Sequence, residues 1–376
     1  MGKNIKIIYK SGLGVAFIMA WVLVRLLLTE AADITKQVSK LRIPGWRRLM
    51  DEVEIIVKQI IILTLLGLTG FAAGKGKLLP ENTHKYISPL ILKITMPLLI
   101  FSTMGNYSFT GETLKNGFMI FLLGVVFILL GGFISLAPCK LMSIRDKTRN
   151  IYIAQSMFGN VIFMAYPLLK AMYGDEGIVY AIFYNIANDA ILWTLGIYLF
   201  NRHNTGSSKQ KLSHLINPNT LAFLGGITII TLKGAFDFEN NPIYQSLWDI
   251  FYSTFYNLGH ITIYLSMLFI GLILSTVKIN GLKDLILRAR YLVYSLFKLI
   301  LIPVTAILFF KATGNYFDVF VKRIVSLQLA MPASTIVSAL ALEYDSDYNA
   351  ATEGIFISTI LSIFTLPFIV FLLTLI

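Results

Sequence analysis

Gln155 to Gly174 reads QSMFGNVIFMAYPLLKAMYG, and the architecture of the whole chain turns on it. The stretch is apolar enough to cross a bilayer, yet Gly159, Asn160 and Pro167 stand where an uninterrupted span would carry helix formers. Proline lacks a backbone donor and its ring clashes with the preceding turn, so a helix through Pro167 is expected to kink or break, leaving Asn160 and nearby carbonyls unsatisfied. In hydrocarbon such groups survive only beside protein or a water-filled cavity. A broken span with an asparagine at mid-depth is a device that transporters use to hold a small solute. The other reading of these residues is a proline-kinked packing helix.

Composition places the surrounding chain in the membrane class. Of 376 residues 56% are hydrophobic and 14% charged, with mean hydropathy +0.73. Phe118 to Pro138 and Ile355 to Ile376 run without a charge, and each exceeds the ~20 residues a helix needs to span. Cys139 is the single cysteine, and the histidines, His84, His203, His214 and His260, are scattered; no disulfide, metal site or cofactor is expected. A net charge of +12 would suggest nucleic acid for a soluble protein, but membrane proteins collect Lys and Arg in cytoplasmic loops, so no nucleic-acid partner is expected. No nucleotide-binding motif, His-Glu-x-x-His pattern or pair of intramembrane catalytic carboxylates is present, which argues against ATP-driven transport and against an intramembrane enzyme.

Residues 1–49 read as a separate extension. An apolar run, Gly12 to Leu28, is broken by Arg25 and followed by Lys36, Lys40, Arg42, Arg47 and Arg48. Nine basic residues against Glu30 and Asp33 give this segment +7, leaving +5 for residues 50–376. One reading is an interfacial or signal-anchor helix; another is that translation begins at Met50, which intact mass of natively expressed protein would test.

Beyond it the fold class expected is an all-α polytopic membrane protein of ten transmembrane helices, at about 53–73, 83–104, 114–138, 150–172, 178–200, 217–233, 246–275, 287–311, 320–342 and 350–374. The loops after spans 1, 3, 5 and 7 hold fourteen basic residues and those after spans 2, 4, 6 and 8 hold six, which puts the first set in the cytoplasm of a plasma membrane. The acidic loop Glu343 to Asp347 is then cytoplasmic without a basic residue of its own. A linker at 201–216 divides a first five-helix repeat, 50–200, from a second, 217–376. Gln155 opens one polar-broken span, and Gln328 opens another through Met331-Pro332-Ala333-Ser334-Thr335, 173 residues later. Five being odd, the second copy enters from the opposite face, so the pattern predicts inverted repeats with broken helices 4 and 9 at matching positions and a site near the midplane, at the repeat interface.

In order along the chain, Gly74-Lys75-Gly76-Lys77-Leu78-Leu79-Pro80, Met96-Pro97-Leu98-Leu99-Ile100-Phe101-Ser102, Gly159-Asn160, Pro167-Leu168-Leu169, Met172-Tyr173-Gly174, Ala330-Met331-Pro332 and Glu343-Tyr344 resemble the auxin efflux carrier family. That family includes plant auxin exporters and bacterial permeases for organic acids, and the likeness runs from about residue 55 to 376. The resemblance implies a homodimer of ten-helix subunits, spans 4 and 9 unwound where they cross, and an elevator-like movement of one bundle against a scaffold. In the plant members the span 4 asparagine and the crossing prolines line the anion site; the matching positions here are Asn160 and Pro167. Span 9 departs from that pattern, with Val337 at the plant proline's place and Pro332 five residues earlier. In span 7 Tyr264 stands where many relatives have proline, so a continuous helix is expected there.

Two broken helices present two N-terminal ends, each worth roughly half a positive charge, which suits a carboxylate. Asn160 can donate from its amide and Ser334 or Thr335 from hydroxyls; an interhelical or backbone hydrogen bond is the structural alternative for each. Lys93, four residues before Pro97 in span 2, would be costly at that depth without a cavity or partner. The candidate substrate residues are therefore Asn160, Pro167, Lys93, Pro97, Pro332, Ser334 and Thr335. Asp189, beside Asn185 and Asn188, is the candidate proton-coupling group, because burial raises a carboxylate pKa. It is equally a structural partner for Lys93. Glu353 and Lys298 read as membrane-interface residues and His260 as a packing histidine. The function expected is a secondary permease for a small organic anion, a mono- or dicarboxylate; the alternative is a membrane sensor or structural subunit that keeps the fold without transport.

Overall fold

A computed structural model describes residues 46–80, 83–202, 218–235, 242–276 and 289–373. The apolar run Gly12 to Leu28 and most of the 201–216 linker lie outside the described residues.

Among the described residues the regular structure is helical. In chain order it comprises α1 (Trp46–Lys75), α2 (Thr83–Leu90) joined through a π-turn (Ile91–Thr95) to α3 (Met96–Asn106), α4 (Gly111–Ile134), α5 (Leu136–Leu141) and α6 (Asp146–Met157). A π-turn (Val161–Ala165) then leads into α7 (Tyr166–Ile191), and another (Leu192–Gly196) into α8 (Ile197–Asn201). After α9 (Pro218–Ala235) and α10 (Pro242–Thr276) come α11 (Ala289–Leu296), a π-turn (Phe297–Leu301) and α12 (Ile302–Thr313). The last elements are α13 (Val319–Leu329), α14 (Ile336–Glu343) and α15 (Tyr348–Leu373). Starts are fixed by local chemistry. Thr110 accepts from the Thr113 amide at 3.1 Å ahead of α4, and Asp318 accepts from the Phe320 amide at 2.7 Å ahead of α13, each satisfying an amide that no helical carbonyl can reach.

Among the described residues six helical stretches are long and apolar enough to cross a membrane: Thr83–Asn106, Gly111–Leu141, Val161–Asn201, Gln245–Thr276, Arg290–Tyr316 and Tyr348–Leu373. Ten were expected. The stretches expected as spans 4 and 9 are each parted by non-helical residues, at 158–160 and 330–335, and the helix that follows the first parting runs on through Gly174 to Ile191. Gly174 takes φ 64°, a conformation side-chain-bearing residues rarely adopt, and folds α7 back on itself. The helix in span 7, α10, runs without a break through Tyr264.

The residues fall into two compact units. The smaller takes the described residues of Met1–Pro89 and Tyr264–Lys278. Within it α1 lies against the end of α10 through small residues: Gly70 meets the Leu268 backbone, Gly74 meets Ser275, and Gly271 backs onto the Gly67 carbonyl. Without a hydrophobic drive between helices in lipid, such close approach is what holds them together.

The larger unit, Leu90–Ile263 and Ile279–Ile376, contains the polar-broken helices. Gly117, Gly124 and Gly131 recur every seven residues along one face of α4, where they meet Phe183, Tyr184 and the Ser156 carbonyl. The opposite face carries exposed Phe118, Val126 and Phe133, as a lipid-facing helix should. At one end of the unit Lys147 Nζ donates to the Asp345 carbonyl and, at 3.0 Å, to its carboxylate, while Thr148 Oγ1 donates to Asp347 at 2.5 Å. Asp345 of the acidic loop is thus paired with a lysine in the first turn of α6.

Candidate functional site

Phe158 to Asn160 parts α6 from the π-turn before α7 and Ala330 to Thr335 parts α13 from α14, where spans 4 and 9 were expected, and the two interruptions lie against each other. Gly159 and Ala333 form an isolated antiparallel bridge. The Asn160 amide donates to the Pro332 carbonyl at 2.7 Å, and the Ser334 amide donates to the Phe158 carbonyl at 3.0 Å. The Ala333 amide reaches the Ser358 hydroxyl of α15 at 3.1 Å. Each break therefore supplies the backbone partners that the other lost, which is how irregular chain is kept at depth. A Cβ on Gly159 would stand 3.2 Å from the Gln328 carbonyl oxygen and from Met331 Cβ, closer than side chains normally pack.

Pro167 does not break its helix. The interruption lies earlier, at Gly159-Asn160, and the chain passes Pro167 through the π-turn Val161–Ala165, with the proline second in α7. The same arrangement recurs at Pro97 and Pro303, each second in its α-helix behind a five-residue π-turn. A π-turn widens the helix so that the carbonyl facing the proline ring needs no i→i−4 donor, which absorbs the defect a straight helix could not.

Four helix ends converge here: α6 and α13 arrive with their carbonyl ends, and the π-turn before α7 and α14 depart with their amide ends. Asn160 is 1% exposed, and its Oδ1 accepts from the Phe163 amide at 3.2 Å. With the carbonyl held, Nδ2 is left as a donor that makes no hydrogen bond among the described residues. The Val161, Met164 and Ala165 amides are already taken by the carbonyls of Gly159 and Asn160, so the amide end is less bare than expected. Across the bridge Pro332 is buried, while Ser334 and Thr335 are half-buried and their hydroxyls are not bonded back to the backbone. Three donors are thus available at the crossover.

A family model described as Membrane transport protein matches residues 55–370. The chain belongs to that family. It is the auxin efflux carrier family that the ordered motifs resemble. The transporter is 27% identical over 311 residues to an uncharacterized transporter of Methanocaldococcus jannaschii, covering 81% of this chain and 94% of the relative. It is 25% identical over 325 residues to another from Methanothermobacter thermautotrophicus, covering 83% and 95%. This is a multi-pass membrane transporter.

The remaining candidates spread around the crossover of the transporter. Gly174 folds α7 back so that Asp189, fifteen residues past the turn, returns to the level of Asn160, fourteen before it, each roughly 21 Å of helix from the bend. Asp189 is half-buried, accepts from Asn185 Nδ2 at 3.4 Å, and lies near enough to buried Tyr166 to interact with it. Asn188 is buried, with no hydrogen-bond partner for its Oδ1 among the described residues. Lys93 stands exposed on its π-turn and Pro97 is half-buried; neither joins the bridge by a hydrogen bond.

Lys298 overturns its reading as an interface residue. It is 1% exposed, and Nζ donates at 2.9 Å to the Ser156 carbonyl in the last turn of α6. The signal was its depth, about eleven residues into a span expected over 287–311. Gln155 and Gln328, read only as markers of the repeat, are both fully buried beside the breaks. Gln155 donates to the Ala351 carbonyl at 2.7 Å, and neither amide atom of Gln328 has a partner among the described residues. Ser358 could not have been singled out, since a serine in an apolar helix usually bonds its own backbone.

Proposed function

We propose that the transporter carries a small organic anion, a mono- or dicarboxylate, held at the crossover by the Asn160 amide and the hydroxyls of Ser334 and Thr335. The observation that carries this reading is the locked Asn160 side chain, whose oxygen is occupied by the Phe163 amide so that its nitrogen is offered as a donor. Donors converging beside two helix amide ends, each worth about half a positive charge, favour a carboxylate over a cation or a neutral sugar. Pro332 and Pro167 shape the walls, and Pro97 and Lys93 belong to the route by which the anion enters.

Ten membrane helices in two inverted five-helix repeats, 50–200 and 217–376, paired as a homodimer, remain the architecture we favour. The antiparallel sense of the Gly159 and Ala333 bridge supports it, because oppositely directed repeats send their broken helices past each other in opposite directions. Transport then runs by alternating access, with the crossover bundle moving as a body and Asp189, assisted by Asn188, taking up a proton. Purified protein melted against a panel of carboxylates, amines and sugars tests the substrate class. Carboxylates should raise the melting temperature and be accumulated by proteoliposomes. Stabilisation by amines or sugars alone would remove the anion site.

A further inference from the structure

A broken helix leaves a carbonyl end as well as an amide end, and in a bilayer both need an answer. At the carbonyl end of α6 the answer comes from helix α11 and the π-turn that follows it. Tyr294 hydroxyl donates to the Tyr152 carbonyl and pairs with the Ser156 hydroxyl at 2.5 Å. Four residues on, in the π-turn, Lys298 Nζ donates to the Ser156 carbonyl at 2.9 Å. Tyr294 and Lys298 are both buried, and among the described residues no carboxylate pairs with the lysine. Beside it the Ser156 and Tyr294 hydroxyls pair with each other.

A lone ammonium at this depth is costly unless something negative meets it. Here that is the helix end itself, worth about half a negative charge. In carriers with discontinuous helices such carbonyl ends are among the groups that coordinate a sodium ion or a proton. The corresponding turn of α13 closes on its own backbone instead: among the described residues its Ser326, Leu327 and Gln328 carbonyls accept from the Ala330 and Met331 amides, so that end does not call for a cation.

We infer that Lys298 is the tethered counter-ion of the crossover. Its ammonium fills the position at the carbonyl end of α6 that a free monovalent cation would otherwise occupy, so the transporter moves its substrate without sodium. This rests on the anion-transport reading for its uptake arm alone. In proteoliposomes the unaltered protein should take up its carboxylate at the same rate in sodium, potassium and N-methylglucamine buffers; a requirement for sodium overturns the inference without any variant. Lys298→Ala should lose at least about tenfold in uptake and melt at lower temperature, and n-propylammonium, which replaces the atoms removed, should restore both. Lys298→Gln, a neutral donor, should fail as the alanine variant does. Wild-type uptake by either variant refutes a charged role, and a lowered melting temperature that no cation raises reduces Lys298 to packing. The melting arm needs no substrate, so it still reports on the counter-ion if carboxylates prove not to be carried.

Discussion

Asn160→Asp separates two jobs that one asparagine performs. The aspartate keeps an oxygen for the Phe163 amide, now 3.2 Å from Oδ1, and so keeps the cap on the π-turn before α7. It removes the Nδ2 donor and puts a negative charge in its place. The cap that is kept is worth about 1 kcal/mol; the carboxylate itself costs stability at this 1% exposed position unless the cavity hydrates it. A hydrogen bond to a charged ligand is worth roughly 1.5–3 kcal/mol, which at about 1.4 kcal/mol per decade is a loss of about 10- to 150-fold in carboxylate affinity, before repulsion is added. Asn160→Ala should instead lose both the cap and the donor. The assay is paired: melting temperature without ligand, and the ligand-induced shift together with proteoliposome uptake at neutral pH. A folded variant that shows neither a carboxylate shift nor uptake supports the assignment. Native uptake by Asn160→Asp would show that the donor is not used, and the anion site would have to be sought elsewhere.

Three further substitutions probe the framework. Gly159→Ala places a Cβ 3.2 Å from the Gln328 carbonyl and Met331; overpacking of this sort should cost about 1–3 kcal/mol, read as lower melting temperature, and unchanged melting would mean that the bridge is soft. Ser358→Ala strips the Ala333 amide of its partner at 3.1 Å, and a buried amide left unpaired should destabilise by roughly 1–3 kcal/mol; transport and stability should fall together. Lys147→Ala removes a pair whose side chains are 39% and 93% exposed, so it should change stability by less than about 1 kcal/mol and do so less at high salt. A larger or salt-independent effect would assign the pair a role beyond surface charge.

Both interruptions were legible because Gly159-Asn160 and Pro332 with Ser334 and Thr335 are poor company for a helix, and they fall at matching places in the chain. Their partners were not. A sequence reveals that a backbone amide has lost its helical acceptor, but the carbonyl that replaces it belongs to a residue some 170 positions away, as with Asn160 and Pro332. Pro167 was expected to kink or break its helix, and the chain is not parted there for a different reason. The missing donor of a proline is felt one turn upstream, and a wide turn can take it up without parting the chain, as also happens before Pro97 and Pro303. Lys298 sat at mid-span in plain view, yet its acceptor is a carbonyl, and main-chain acceptors have no letter in the sequence.

The wide turns at Ile91–Thr95, Val161–Ala165 and Phe297–Leu301 carry a practical consequence for anyone labelling this transporter. Each accommodates one residue more than an ordinary turn, so the azimuth of everything downstream slips by roughly 100° from where a helical wheel would put it. Two probes chosen on a wheel to share a stripe, one on either side of such a turn, will look out at different neighbours. Cross-linking or spin-label pairs therefore have to be indexed separately on the two sides of Pro97, Pro167 and Pro303.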